Sequence, residues 1–394
     1  MRRTAAVIAA GALALLTACN GDHATASGHS SNSAAGTPAH VTVAPADGTA
    51  DVSPTVPLEI SVTGGTLGAV SVVDSGGDSV SGALKQSTDN PGSEVWTPDE
   101  HLAYGTKYTL TATAKNPAKK ETKATSTFTT VTPDTLSTPS IGPLDGTTDG
   151  VGMPIRVYFD QKVADRAAVE SHLKVTSSHP TDGVWSWLND KEVHFRPSQY
   201  WPADTKVTLD ANLYGVNFGD GVWGEKDRSV TFDIGARHVS VADAASHTLL
   251  VYDGARLVQK YPMSAGSDKN PTRNGPHVVL QSYKQITMDS STFGLAVDAP
   301  GGYRADVKYA VRISNNGEFV HAAPWSLAQQ GNSNVSHGCI NLSTARANWF
   351  YDFSRPGDVV EVKNSVGPQL SAADGDIYDW AIPWATWKAG SALK

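Results

Sequence analysis

The chain has 394 residues, 40% of them apolar and 18% charged, the balance of folded protein with room for two or three domains. Its net charge of −8, with no stretch clustering Lys and Arg, excludes the basic footprint of a nucleic-acid binder. After Leu16 no apolar run approaches the roughly 20 residues of a membrane-spanning helix.

Residues 1–18 read as an export signal. Arg2 and Arg3 supply the positive end, and Ala5 to Leu16 supply a short apolar core. One reading makes Ala18 an ordinary cleavage point. The other, adopted here, notes that Leu16-Thr17-Ala18-Cys19 resembles a bacterial lipobox, in which the Cys19 thiol receives a diacylglyceryl group and becomes the mature N-terminus. Several acyl chains hold a protein stably on a membrane, so Cys19 is expected to anchor it to the extracytoplasmic face. Residues 19–38 are then a flexible tether of Ser, Ala, Gly, Thr and His, in which His23 and His29 read as solvated filler.

The next two hundred residues carry an internal repeat. Trp96-Thr97-Pro98 and Gly105-Thr106-Lys107-Tyr108-Thr109-Leu110 have counterparts 99 residues on, in Phe195-Arg196-Pro197 and Asp204-Thr205-Lys206-Val207-Thr208-Leu209. Pro45-Ala46-Asp47-Gly48-Thr49 likewise answers Pro143-Leu144-Asp145-Gly146-Thr147. Short alternating segments such as Leu58–Val62 and Ile155–Phe159, punctuated by Gly, Pro and Asp, predict two tandem β-sandwiches over 39–132 and 133–235. Neither contains a cysteine or a catalytic constellation, so they are expected to act as a spacer.

A third unit is expected over 236–363. Val239 and Val241 alternate with polar neighbours, and Leu249 to Tyr252 run into Asp253-Gly254, a hairpin signal. Val278 to Leu280, Val307 to Ile313 and Val359 to Val362 read as further strands. Ser343 can cap a short helix with Trp349, Phe350 and Phe353 on one face. The tail, 364–394, holds Trp380, Trp384 and Trp387, which predicts that it packs back on a neighbouring domain.

The chemistry centres on Ser336-His337-Gly338-Cys339-Ile340-Asn341, with His321 eighteen residues before the cysteine. A cysteine nucleophile needs a base and donors for the oxyanion formed on attack at a carbonyl. His321 and His337 are both candidate bases. Gly338 lets substrate approach the backbone, and the amides of His337, Gly338 and Cys339 are candidate oxyanion donors. The remaining histidines scatter without ligand spacing, so neither metal nor cofactor is expected.

The segments His321-Ala322-Ala323-Pro324-Trp325-Ser326 and Asn334-Val335-Ser336-His337-Gly338-Cys339-Ile340-Asn341 resemble the L,D-transpeptidases of bacterial cell walls, especially the actinobacterial type. Met288-Asp289-Ser290-Ser291, Gly302-Tyr303-Arg304 and Ile382-Pro383-Trp384 also look like that family's segments. The resemblance implies a mainly β protein with two immunoglobulin-like domains, a β-rich catalytic domain of the YkuD type and a Trp-containing tail. It implies that Cys339 attacks a peptidoglycan tetrapeptide stem, releases D-Ala, and passes the acyl group to an amine of an acceptor stem, giving a 3→3 cross-link. It also implies that His321 is the base, oriented by the carbonyl of Ala322, and that His337 and Gly338 serve the oxyanion region. Tyr303, Ser336, Asn341, Trp325 and Met288 would contact substrate, though Trp325 reads equally as a core residue. Carbapenems are implied as covalent inhibitors.

Two rival readings remain in view, and a third is dismissed. Water could resolve the same thioester, giving an L,D-carboxypeptidase or endopeptidase. A non-catalytic wall-binding lipoprotein has the intact Cys–His pair against it. A serine penicillin-binding enzyme lacks the motifs that should accompany Ser171 to Lys174 or Ser391 to Lys394.

Overall fold

The computed structural model describes residues 36–89, 92–294, 296–300, 302–375 and 377–393, so Cys19, the export signal, His23 and His29 lie outside the described residues. The first sandwich pairs a sheet of His40–Ala44, Leu58–Thr63, Ser93–Pro98 and Gly82–Gln86 with one of Ser79–Val80, Thr66–Asp74, Lys107–Lys115 and Glu121–Thr129. Side chains alternate across each strand. In Lys107–Lys115, Tyr108, Leu110, Ala112 and Ala114 point inward, and Leu110 meets Leu58, Ile60, Trp96 and Phe128 in one core.

The second sandwich repeats the plan. Ser140–Gly142, Ile155–Tyr158, Glu192–Pro197 and Gly183–Trp187 face Thr148–Asp149, Arg228–Ile234, Thr205–Ala211 and Leu173–Ser177. The sequence repeat reappears as a shared turn. Asp47 Oδ1 accepts from Thr127 N and Asp145 Oδ1 from Thr231 N, both at 2.8 Å. Gly48 and Gly146 take φ of +82° and +73°, a conformation that favours glycine, and donate to the carbonyls of the same two threonines.

The third unit is built of two sheets. A five-stranded sheet runs Arg256–Pro262, Thr248–Asp253, His238–Asp243, Val359–Lys363 and Gly275–Val278. A four-stranded sheet runs Gln281–Asp289, Arg304–Arg312, Phe319–Ala322 and Ile340–Leu342. The helix Thr344–Phe353 starts at Ser343, whose hydroxyl accepts from Arg346 N, and Phe350 enters the core between the sheets.

The second sandwich packs directly on the third unit. Val239 and Val359 of the third unit belong to the second sandwich's core, and Gly150 and Gly152 donate to the carbonyls of Pro356 and Gly357. The approach is tight: a Cβ on Gly150 would lie 2.1 Å from Asp358 N. The tail adds a second seam. Arg196 of the second sandwich lies among the rings of Trp380, Trp384 and Trp387, at 4.8, 5.1 and 4.6 Å from their centroids, and donates to Ile382 O. Trp387 is fully buried, and Trp380 and Trp387 donate to the carbonyls of Gly152 and Val184. The two sandwiches are also joined, by Tyr104 and Tyr214, whose hydroxyls donate across the junction to Gly224 O and Leu102 O.

His194 fixes the tail. Its Nδ1 meets Asp379 and its Nε2 meets Glu192, both at 2.8 Å, with His194 and Asp379 wholly buried. Burial alone would lower the imidazole's pKa, but the two carboxylates outweigh it and raise the value to about 9. A folded-state value above the unfolded 6.5 means the contribution to stability is complete below about pH 6.5 and is lost as pH rises through about 9. Tail tryptophan fluorescence should therefore report loosening over that alkaline window. His194→Asn should lower the free energy of unfolding by roughly 3–5 kcal/mol, the cost of stranding a buried charge, as read by urea denaturation.

Candidate active site

Parallel pairing of Phe319–Ala322 with Ile340–Leu342 sets Val320 against Ile340, His321 against Asn341 and Ala322 against Leu342. Cys339 immediately precedes that strand, so the pairing brings two residues eighteen apart to the wall of one cavity. The cavity is about 270 Å³, lined by Met288, Tyr303, Ala305, Val307, His321, Trp325, Val335, Ser336, His337, Cys339 and Asn341. Every site residue expected from the third unit is there except Gly338. That glycine lines a neighbouring, more polar cavity of about 590 Å³, with Tyr303 and His337 common to both. The rings of those two residues lie 5.1 Å apart.

The turn carrying Cys339 is held by its own side chains. Ser336 Oγ donates to Cys339 O at 2.6 Å and accepts from Gly338 N at 3.1 Å. Gly338 has a φ of +116°, which requires glycine. The Gly338 amide is occupied by Ser336, so the amides of His337 and Cys339, which have no acceptor among the described residues, are the free donors. Ser336 shapes the turn through both hydroxyl bonds as well as lining the cavity.

His321 is 4% exposed, and its Nδ1 lies 2.9 Å from Ala322 O. A carbonyl can only accept, so Nδ1 carries the hydrogen and Nε2 keeps a lone pair. Burial lowers the ring's pKa to about 4 against the opposing Ala322 bond. Cys339, 5% exposed, has its thiol pushed up to about 12, first by burial and then by Glu318, while the Phe319 backbone and Arg312 oppose the rise. Burial thus favours a neutral thiol beside a neutral imidazole. The Tyr303 phenol is also raised, by burial and then by Cys339 and Asp289.

His337 is exposed at the mouth. Trp325 is 61% exposed, its ring 6.1 Å from that of His321, so the core reading of this tryptophan is excluded. Asn341 is buried, donates to Ser326 Oγ at 3.2 Å, and has an Oδ1 without a partner among the described residues. Met288 packs with Cys339, Val307 and Phe319.

Two supports carry no sequence signal. Thr272 Oγ1, wholly buried, donates to Gly338 O at 2.7 Å and accepts from Gly266 N at 2.9 Å. Gly317 O lies 3.6 Å from Cys339 Sγ. Both are isolated positions far from the cysteine motif in sequence.

A model of the bacterial Ig domain matches residues 49–217, and a model of the L,D-transpeptidase catalytic domain, YkuD, matches 237–362. L,D-transpeptidase 2 of Mycobacterium tuberculosis is 42% identical over 352 residues, 89% of this chain and 85% of the relative. L,D-transpeptidase 5 of Mycobacterium tuberculosis is 42% identical over 360 residues, 90% of this chain and 77% of that protein. A solved structure of the L,D-transpeptidase LdtMt1 in complex with imipenem is 34% identical, with a TM-score of 0.51, and covers 58% of this chain and all of its own.

With the thiol held up by burial, alkylation of Cys339 by iodoacetamide should keep rising with pH toward about 12 instead of levelling near 9.0. Peptide mass mapping of the modified cysteine across alkaline pH checks this. A plateau near 9 would mean the sulfur is better solvated than its burial implies.

Proposed function

This chain belongs to the L,D-transpeptidase family, and we infer that Cys339 is the nucleophile with which it cross-links peptidoglycan stems. The observation that carries the assignment is the buried sulfur sharing one cavity with an imidazole whose Nδ1 is tied to a backbone carbonyl. His321 Nε2 takes the thiol proton as sulfur attacks the carbonyl joining the third stem residue to D-Ala. The negative charge on oxygen falls to the amides of His337 and Cys339. Collapse expels the D-Ala amine, which takes the proton from His321, and leaves a thioester. An amine of the acceptor's third residue then attacks, His321 takes its proton, and sulfur leaves as a 3→3 amide forms.

The neutral resting pair suits this sequence. Charge separation between sulfur and ring is unfavourable until a carbonyl oxygen can receive the electrons, so attack and proton transfer go together. Tyr303 packs against the cluster that holds Cys339, beside His337, and Asn341 Oδ1 is available to a substrate N–H. Water in place of the acceptor amine would give the carboxypeptidase outcome. Incubation with a disaccharide tetrapeptide separates the two: cross-linked dimer supports the transpeptidase, and tripeptide with free D-Ala alone would point to hydrolysis.

A carbapenem should acylate the same sulfur, since thiolate opening of the strained amide leaves a thioester. Intact mass should rise by one drug molecule, and Cys339→Ala should show no adduct. The histidines should separate in the same assay. His321→Ala should slow acylation by roughly 10²-fold or more, the scale of a general base, with part of the loss returning at alkaline pH. His337→Ala should slow it with little alkaline rescue. The acid limb of wild-type acylation should fall near pH 4, where His321 protonates. Rescue confined to the His337 variant would reverse the two roles.

The lipid anchor rests on Leu16 to Cys19 behind an apolar core, with the sandwiches standing between membrane and catalyst. Cells fed a labelled fatty acid should label the wild type and not Cys19→Ala. Unlabelled wild-type protein free in the medium would reduce residues 1–18 to a plain signal peptide.

A further inference from the structure

Behind the catalytic turn lies a buried acid–base pair that the acyl-transfer steps above do not use. Glu318 is 4% exposed and His277 is wholly buried. Glu318 Oε1 accepts from Arg273 N at 2.8 Å, and Oε2 accepts from His277 Nε2 at 3.0 Å and from Ser314 Oγ at 3.3 Å. The single Ser314 hydroxyl hydrogen also faces Asn316 Oδ1, so Arg273 N and His277 Nε2 are the two donors that fit an ionised carboxylate. His277 Nδ1 lies 3.0 Å from Gly275 O, so the ring donates from both nitrogens. A buried anion with a cationic partner persists where a lone one would not.

The pair touches the turn at two points. A Cβ on Gly338 would stand 3.6 Å from Glu318 Cγ and 3.8 Å from its Oε1, so the carboxylate lies against the residue next to the nucleophile. Through Arg273 N it also fixes the segment whose Thr272 hydroxyl holds Gly338 O. Glu318 further precedes the strand that carries His321. We propose that Glu318, clamped by His277, is a positioning residue for acyl transfer: it fixes the turn bearing Cys339 and keeps a negative charge behind that turn.

The other charged or titratable groups around the sulfur are Arg312, which opposes Glu318, together with Tyr303, His321 and His337. A thiol that ionises only when a carbonyl arrives is also a poor target for oxidants, which act on thiolate. The inference rests on Cys339 being the nucleophile.

Substitution separates charge from shape. In Glu318→Gln the amide oxygen can accept from Arg273 N while the amide nitrogen donates to a neutral His277, so those two bonds survive, only the long Ser314 contact changes, and both charges vanish. In His277→Gln the new amide can still donate to Glu318, but the anion loses its cation. Near neutral pH, iodoacetamide should modify Cys339 of Glu318→Gln about tenfold faster than wild type, since one removed anion at close range shifts a thiol by a unit or more. It should modify His277→Gln more slowly than wild type. Opposite signs with unchanged melting temperatures support the proposal, whereas wild-type pH profiles in both variants, or slowing in both, overturn it. If Glu318→Gln does not fold, the direction of change in His277→Gln decides alone. Absence of a carbapenem adduct on wild-type Cys339 would instead sink the nucleophile assignment, a distinct failure.

Discussion

The site depends on one short parallel pairing, Phe319–Ala322 against Ile340–Leu342. Both strands are buried along their whole length, so their side chains have no solvent face to fall back on. Strand period is two residues, and a slip of one would turn His321 from the cavity to the opposite face. Parallel neighbours also need a crossover. Here it is the loop through Trp325 and Val335 to the Ser336–Gly338 turn, and it forms one wall of the cavity it closes. Topology thus brings His321, Cys339 and the rim together.

The same burial sets the electrostatics. Taking sulfur and imidazole out of water penalises the charged form of each, so one value rises to about 12 and the other falls to about 4. A thiolate–imidazolium pair, the resting state often pictured for cysteine enzymes, is disfavoured in this cavity while it is empty. What favours reaction is preorganisation: a tautomer fixed by Ala322 O, two amides without acceptors, and a turn held by Ser336 and Thr272. These groups need little rearrangement when charge develops on the substrate oxygen.

Local signals were the legible ones. The repeat at 45–49 and 143–147 became two turns with the same hydrogen bonds, Asp253-Gly254 became a hairpin, and Ser343 became a helix cap, because each depends on a few neighbouring residues. The cysteine motif was legible for the same reason, and the histidine upstream through its family spacing. Long-range contacts were not. Nothing about Thr272, Glu318 or His277 in sequence marks them as neighbours of residue 338, and the loss of the Gly338 amide to Ser336 depends on a side-chain rotamer. Trp325 was ambiguous because an indole suits a core or a rim equally, and only the crossover's path decides.

The tail shows why the sandwiches cannot be treated as a detachable spacer. Asp379 is buried against His194 of the second sandwich, while Asp374, five residues earlier, accepts from Arg273 Nε and Asn316 Nδ2 beside the catalytic turn. Arg273 gives its backbone N–H to Glu318, and Asn316 Oδ1 accepts from Glu318 N. One short segment therefore ties the second sandwich to the residues that brace the turn bearing Cys339. Withdrawing the sandwich would leave Asp379, five residues from Asp374, without its cation and would also uncover Trp387 further along the same tail. A lone catalytic domain keeps its sheets but loses the fixed end of that strap.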